Sequence, residues 1–319
     1  VGDMNELTAE ERAAYFEDVA RVARAIMKAF NPDKVNYGAY GDTGHHLHFH
    51  LCPKYKDEYE WGGVFLMNPD KKYLTDEEYA FGVDKNQPEL LEKTNEFIAK
   101  IKSDGTLDEI CKKYFSDGEP EAVKSATLDT SKDQLVVATN AAFEPFEYTK
   151  GEDYYGIDME IAKLLADELG KELVIENMDF DAVCLSVSQQ KCDIAMAGLT
   201  INEEREEYVT FTDSYYSASQ RLIVPSNVTT FDDCKTADDV AAKLAETKSS
   251  DQIGVQQGTT GQYYVEGSED WDFPGLPAKC VTYKSGSLAV QDMLNGNIQY
   301  VIIDAAPAAA ITDAINAVQ

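Results

Sequence analysis

From residue 134 to residue 304 the chain alternates two kinds of segment. Runs rich in β-branched residues (QLVVAT, ELVIEN, CDIAMAGLT, QRLIVPS, QIGVQ and IQYVIID) are separated by helical segments such as DMEIAKLLADELG, ADDVAAKLAE and SLAVQDMLNG. Strands that alternate with amphipathic helices predict an α/β fold, because neighbouring parallel strands need a crossover long enough to return the chain. Local signals agree with the periodicity: Gly170 and Gly296 fall where two helices should stop, and Asp158 where the first should be capped. A chain of 319 residues that is 44% hydrophobic can bury a real core, and its length predicts about two domains.

Charge and cysteine usage exclude several functions. Acidic residues outnumber basic ones 58 to 28, and the resulting net charge of −30 repels nucleic acid and anionic membrane surfaces. No run is long and apolar enough for a membrane span. The chain opens on Val1, and VGDMNELTAEER carries no basic-then-apolar leader, so its start reads as cut. The six cysteines form no CxxC pair, so no structural zinc pattern exists; Cys234 and Cys280 are the best disulfide candidates in an oxidising compartment. No metal and no cofactor is expected.

Ahead of the alternating region the texture differs. Thr8 and Glu11 form a capping box, and Phe16, Val19, Ala23, Ile26 and Phe30 recur at helical spacing until Asn31-Pro32. All four histidines follow within HHLHFH, residues 45–50. On a strand His46, His48 and His50 would share one face and Leu47, Phe49 and Leu51 the other. The stretch KYKDEYEWGGVFLMNPDKKY suits loops. PELLEKTNEFIAKIKSDG then starts with a helix-opening proline and ends at Gly105, a short helix LDEICKKYF follows, and residues 116–133, poor in apolar residues and without period, read as a linker.

Three features after residue 139 would together suit a zwitterion. In QQGTTGQYY, a glycine-flanked Thr259-Thr260 loop opens a helix and presents unpaired N–H groups, a seat for a carboxylate or phosphate. In GLTINEEREEY, Arg205 is the lone cation and could grip a carboxylate with its fork. In YVIIDAAPA, Asp304 ends an apolar strand and could meet an ammonium. Each has a plainer reading: a turn, an ion pair of Arg205 with Glu203 or Glu206, and a helix cap. Their shared position at strand ends favours a site, because ligands of open α/β sheets collect there.

QLVVATNAAFEPFEY, YYGIDMEIAKLLADELG, DFDAVCLSV, KCDIAMAGLTINEER, FTDSYY, GVQQGTTG and YVIIDAAPA, in that order over residues 132–319, resemble the solute-binding proteins of bacterial polar amino-acid ABC importers. The resemblance implies a type II periplasmic-binding-protein fold, two α/β lobes that close on a free, polar L-amino acid and deliver it to an ABC permease outside the cytoplasm, without chemistry. It implies that Arg205, Thr200, Thr259 and Thr260 hold the α-carboxylate, that Asp304 and the Gly198 backbone hold the α-ammonium, and that Phe143 and Phe180 stack on the ligand side chain. Asn140 stands where relatives that take cationic ligands usually carry aspartate, which points to a neutral polar side chain; its plainer reading is a satisfied turn.

FGVDKNQPELLEKTNEFIAKIKSDGTLDEICKKYF resembles the usual C-terminal end of such a protein, yet it precedes the N-terminal part. The expectation is a domain closed out of sequence order, as a permutant, a tandem fragment or a chimera. The opening stretch is similar to a histidine-triad nucleotide hydrolase or transferase, through His46-Leu47-His48-Phe49-His50-Leu51, Pro53, Trp61-Gly62-Gly63 and Asn36. That resemblance implies His48 as nucleophile toward a nucleotide α-phosphate, flanked by His46 and His50, in a truncated α+β unit that belongs to the cytoplasm. A shared metal on the same histidines is its rival. The boundaries expected are a partial histidine-triad unit at 1–76, an out-of-order segment at 77–118, a linker at 119–131, and lobes at 132–222 and 223–319. Amino-acid binding is the leading function and nucleotide phosphohydrolysis the alternative; a lyase on the binding fold has no sequence feature in its favour.

Overall fold

A computed structural model describes residues 7–40, 48–54, 77–116, 118–271 and 273–317, and the chain divides into two units, residues 1–71 and 72–319. In the first unit, helix α1 (Ala9–Phe30) opens on the expected capping box: the Glu11 N–H donates to the Thr8 hydroxyl at 3.2 Å and the Thr8 N–H to the Glu11 carboxylate at 2.8 Å. Asn31 ends it in the left-handed region, at φ 46°. Strands β1 (Lys34–Tyr40) and β2 (His48–Lys54) pair antiparallel, with His48 opposite Tyr40 and His50 opposite Gly38. The strand expected for the histidines is therefore present; His46 and residues 55–76 lie outside the described residues.

The second unit begins with β3 (Glu77–Tyr79), β4 (Gly82–Val83), α2 (Pro88–Ser103) and α3 (Thr106–Phe115). It continues through β5 (Gln134–Thr139), the hairpin strands β6 (Ala142–Phe143), β7 (Glu147–Lys150) and β8 (Asp153–Tyr155), α4 (Ile157–Leu169), β9 (Glu172–Asn177), α5 (Val183–Ser188), β10 (Ile194–Ala195), α6 (Glu203–Glu206), β11 (Thr210–Phe211) and β12 (Tyr216–Ala218). A second run of elements follows: β13 (Gln220–Ile223), α7 (Ala237–Ala245), β14 (Gln252–Gln256), α8 (Thr260–Glu266), β15 (Lys279–Tyr283), α9 (Gly286–Leu294), β16 (Tyr300–Asp304) and α10 (Ala305–Asn316).

These elements build two large sheets, a small three-stranded antiparallel sheet of β6, β7 and β8, and a two-stranded ribbon. The first has the order β11-β4-β10-β5-β9, with β10, β5 and β9 parallel; the second has the order β13-β16-β14-β15, with β16, β14 and β15 parallel. A two-stranded ribbon, β12 with β3, stands apart from both. Between them the sheets define two α/β lobes.

Strand β4 lies between β10 and β11 and pairs antiparallel with both, although it precedes them by more than a hundred residues. Helix α2 follows it onto the same lobe: Leu90, Phe97, Ile98 and Ile101 are buried in one core with Leu135, Val137 and Leu165, and Leu91 packs at its edge. The apolar stripe read from the sequence thus closes the first lobe. Residues 118–133 form no helix or strand, yet they are pinned along that lobe. Val123 and Tyr154 exchange backbone hydrogen bonds, the Ala126 N–H donates to the Leu173 carbonyl, and the Ile175 N–H donates to the Ser125 hydroxyl.

Two expectations are corrected. Asp158 does not cap α4. Gly156 does, at φ 129°, where an added Cβ would lie 2.0 Å from the Phe146 carbonyl oxygen. Asp158 instead sits in the first turn, fully buried, and accepts from the Gly198 N–H at 2.9 Å and the Tyr215 hydroxyl at 2.5 Å. Burial pushes its carboxyl up to about 7 against the pull of those two donors. Cys234 and Cys280 are free thiols. The Cys234 N–H closes a turn on the Phe231 carbonyl, and burial together with Glu266 pushes the Cys280 thiol up to about 12.

Phe97→Ala should cost the residue 72–319 unit about 3–5 kcal/mol in urea unfolding, as expected for a large aromatic removed from a packed core. Asp158 holds its proton more tightly folded than unfolded, so its contribution is complete below its ordinary value of 3.8 and is lost as pH rises through about 7. Unfolding followed from pH 4 to pH 8 should show that decline, and Asp158→Asn should flatten it; an unchanged slope would remove Asp158 as its source.

Candidate functional site

The residues singled out from the sequence cluster at the carboxyl ends of strands from both sheets. Asn140 follows β5, Gly198 and Thr200 follow β10, Thr259 and Thr260 follow β14, and Asp304 ends β16. Open α/β sheets place ligands there.

Arg205 is the pivot. The Asn202 side chain caps α6 by accepting the Arg205 N–H at 2.7 Å, which fixes where the arginine departs. Its side chain is 7% exposed and makes no ion pair with Glu203 or Glu206. Nη1 donates to the Thr200 carbonyl at 2.6 Å, Nη2 donates to the Gly258 carbonyl of the second lobe at 2.9 Å, and the guanidinium lies 5.1 Å from the Phe180 ring centre. A guanidinium has five N–H donors, so donors remain for a carboxylate.

Around it runs a line of hydroxyls. The Thr260 hydroxyl donates to the Thr200 oxygen at 3.3 Å, the Thr200 hydroxyl donates to Glu77 at 2.9 Å, and the Thr259 hydroxyl is used inside its own turn, on the Gln256 carbonyl at 2.8 Å. Asp304, 4% exposed, accepts a short hydrogen bond from the Tyr79 hydroxyl. Burial raises the Asp304 carboxyl, while Tyr79, Gln220 and Arg205 hold it down. Burial followed by Asp304 and Glu77 pushes the Tyr79 phenol well above its ordinary range.

Gly198 donates its N–H to Asp158 and packs under two rings: an added Cβ would come within 3.1 Å of Phe143 and 3.3 Å of Tyr79. Phe143 is therefore close to Gly198, and Phe180 is close to Arg205. Asn140 is engaged on both sides. Its amide donates to the Met178 carbonyl at 2.7 Å and accepts from Gln256 of the second lobe at 2.9 Å, so it bridges the lobes. Exposed rim contacts, Lys284 with Asp179 at 2.7 Å and Gln257 with Asp181 at 2.9 Å, add little energy.

Sequence reasoning missed Glu77, Tyr79, Glu147, Gln220 and Gln256, all at most 5% exposed. Neither Glu147 carboxylate oxygen has a hydrogen-bond partner, and burial, then Asp158 and Asp304, push the group well above the usual carboxylate range. The available signal was a polar residue set within an apolar strand pattern, Gln220 opening QRLIV and Glu147 inside PFEY. A cavity of about 50 Å³ touches Tyr79, Phe146 and Asp304, while a larger one, about 800 Å³, lies elsewhere beside Leu128 and Leu185.

Among the described residues no group of His, Cys, Asp and Glu could hold a metal ion, and no helix is long and apolar enough to cross a membrane. The cluster pairs a buried cation with buried acids across two lobes, an arrangement suited to holding a small zwitterion.

Comparison with known proteins gives the same class. The arginine-binding extracellular protein ArtP of Bacillus subtilis is 34% identical over 95 residues, 30% of this chain and 37% of that protein. The histidine-binding periplasmic protein of Salmonella typhimurium is 28% identical over 172 residues, 54% of this chain and 60% of that protein. The chain thus spans less than two thirds of the length of these relatives. The structure of holo ArgBP from T. maritima aligns with a TM-score of 0.49 and 30% identity over 58% of this chain and 74% of that one. None of these comparisons supports a histidine-triad unit at residues 1–76. The sequence profile of the bacterial extracellular solute-binding proteins, family 3, matches residues 12–117 and 135–302, most of the chain and much of the expected histidine-triad segment, so the chain belongs to that family and its two lobes are those of a type II periplasmic-binding-protein fold.

Proposed function

We propose that this chain binds a free, polar L-amino acid between its lobes and delivers it to an ABC permease outside the cytoplasm. The observation that carries the reading is Arg205: a buried cation, steered by carbonyls from both lobes, with N–H donors to spare and Asp304 nearby. The α-carboxylate would sit on Arg205 with Thr200, Thr260 and the Thr259 turn, the α-ammonium on Asp304 and the Gly198 backbone, and the side chain between Phe143 and Phe180. Names of relatives, arginine-binding and histidine-binding, favour a basic side chain, as do the buried acids Glu77 and Asp304. Residues 77–118 complete the first lobe out of sequence order in this reading, which the position of β4 between β10 and β11 supports.

A second reading attaches to the β1–β2 hairpin, where the strand bearing His48 and His50 forms as a histidine triad requires. In that reading His48, flanked by His46 and His50, would be the nucleophile toward a nucleotide α-phosphate; the match of residues 12–117 to the solute-binding family weighs against it.

Calorimetric titration with an L-amino-acid panel should show micromolar or tighter binding of at least one polar member. Arg205→Ala should weaken it by about 2–5 kcal/mol, because the ligand carboxylate is then buried without its cation. A variant that bound the whole panel as well as the parent would refute the site. Adenosine phosphoramidate should not be appreciably hydrolysed, and turnover abolished by His48→Ala would overturn that expectation.

A further inference from the structure

The amino-acid site proposed above already contains a carboxylate, and it comes from the protein. Glu77 opens β3 and faces Ala218 in the β12–β3 ribbon. Its side chain is 1% exposed. One carboxylate oxygen accepts the Thr200 hydroxyl at 2.9 Å and the other accepts the Gln220 amide at 2.9 Å. The same Thr200 offers its carbonyl to Arg205 at 2.6 Å and its hydroxyl oxygen to Thr260 at 3.3 Å. Glu77 therefore meets the seat at its centre.

We propose that Glu77 is an internal occupant of the carboxylate seat and that it sets the affinity and charge preference of the cleft. The proposal rests on the amino-acid reading and goes beyond it by naming the residue that opposes the ligand and the ligand class that this favours. A threonine hydroxyl has a single proton to donate, and Thr200 gives it to Glu77. An incoming carboxylate cannot take that proton unless Glu77 yields it. Two carboxylates beside one hydroxyl also repel each other, and the repulsion is larger in a buried site than in water. A ligand with a basic side chain offsets that repulsion with its second positive charge, whereas a neutral zwitterion does not. Glu77 thereby biases the cleft toward arginine-like over glutamine-like ligands.

Glu77→Gln isolates the charge. In Glu77→Gln the side-chain oxygen still accepts from the Thr200 hydroxyl, and the new amide faces the Gln220 amide, which also donates to Asp304. The thermal melt reports whether the variant keeps its fold. Glu77→Ala removes acceptor and charge together. The test is calorimetric titration of parent, Glu77→Gln, Glu77→Ala and Arg205→Ala with L-arginine and L-glutamine, with a thermal melt of each protein.

The expected result is at least a tenfold gain in glutamine affinity for Glu77→Gln, a smaller change for arginine, and hence a fall in the arginine-to-glutamine ratio. Glu77→Ala should shift the ratio in the same direction. Unchanged or weaker glutamine binding in folded Glu77→Gln, with Arg205→Ala still weakening binding, would overturn the role of Glu77 and leave the amino-acid site standing. Binding of either ligand by Arg205→Ala as tight as by the parent, or no binding of any L-amino acid of the panel by the parent, would overturn the amino-acid site and the role of Glu77 with it.

Discussion

A guanidinium buried between two lobes is the interaction on which the rest of this arrangement depends. Taking an ionised group out of water is costly unless hydrogen bonds and charges replace the lost solvent. Arg205 meets that demand with one carbonyl from each lobe, Thr200 and Gly258, and with the face of Phe180. Because Gly258 belongs to the second lobe, the position of the arginine reports the approach of one sheet to the other. Asn140 with Gln256, and Tyr79 with Asp304, tie the lobes in the same way. The cleft is lined by polar groups, whose hydrogen bonds are directional and can be exchanged for those of a ligand, while one apolar core runs from Leu135 and Tyr215 of the first lobe to Val301 and Ile303 of the second.

The acids on the cleft floor give those polar groups their direction. Glu77, Glu147, Asp158 and Asp304 are buried, and burial raises the carboxyls of Asp158, Asp304 and, most strongly, Glu147. Asp158 spends its acceptors on the Gly198 N–H and on Tyr215, which fixes the turn after β10 where Thr200 and Arg205 begin. A cationic ligand group would favour the ionised forms of these acids, which burial opposes. The same electrostatics explains why a protein carboxylate can stand beside Thr200: the arginine field attracts any anion that the backbone brings near.

Much of this was legible in the sequence, for identifiable reasons. Alternating β-branched runs and helical segments specified the parallel strands at the centre of both sheets, because a period of two and a period of 3.6 are distinct signals. The stripe Leu90, Phe97 and Ile101 announced a helix face that needed a core, and it found one in the first lobe. Arg205, Thr200, Thr260 and Asp304 were recognisable from motif order. Strands as short as β4, β6 and β10, two residues each, carry no period and were missed as strands or overextended. Asp158 was read as a helix cap and the lobe-bridging bond of Asn140 was not read at all, since a carboxylate that reaches a distant N–H and a side-chain amide that bridges lobes are tertiary facts. Glu77 was hidden in DEEYAFGV because nothing local marks an acid as the neighbour of a threonine more than a hundred residues away.

The central claim is that Arg205 is the seat of a ligand carboxylate. A crystal structure of the chain grown with L-arginine tests it most directly. The account predicts a bound amino acid between the sheets, with its α-carboxylate within hydrogen-bond distance of the Arg205 guanidinium and its α-ammonium on Asp304. An amino acid bound elsewhere, with Arg205 still held only by Thr200 and Gly258, would contradict it.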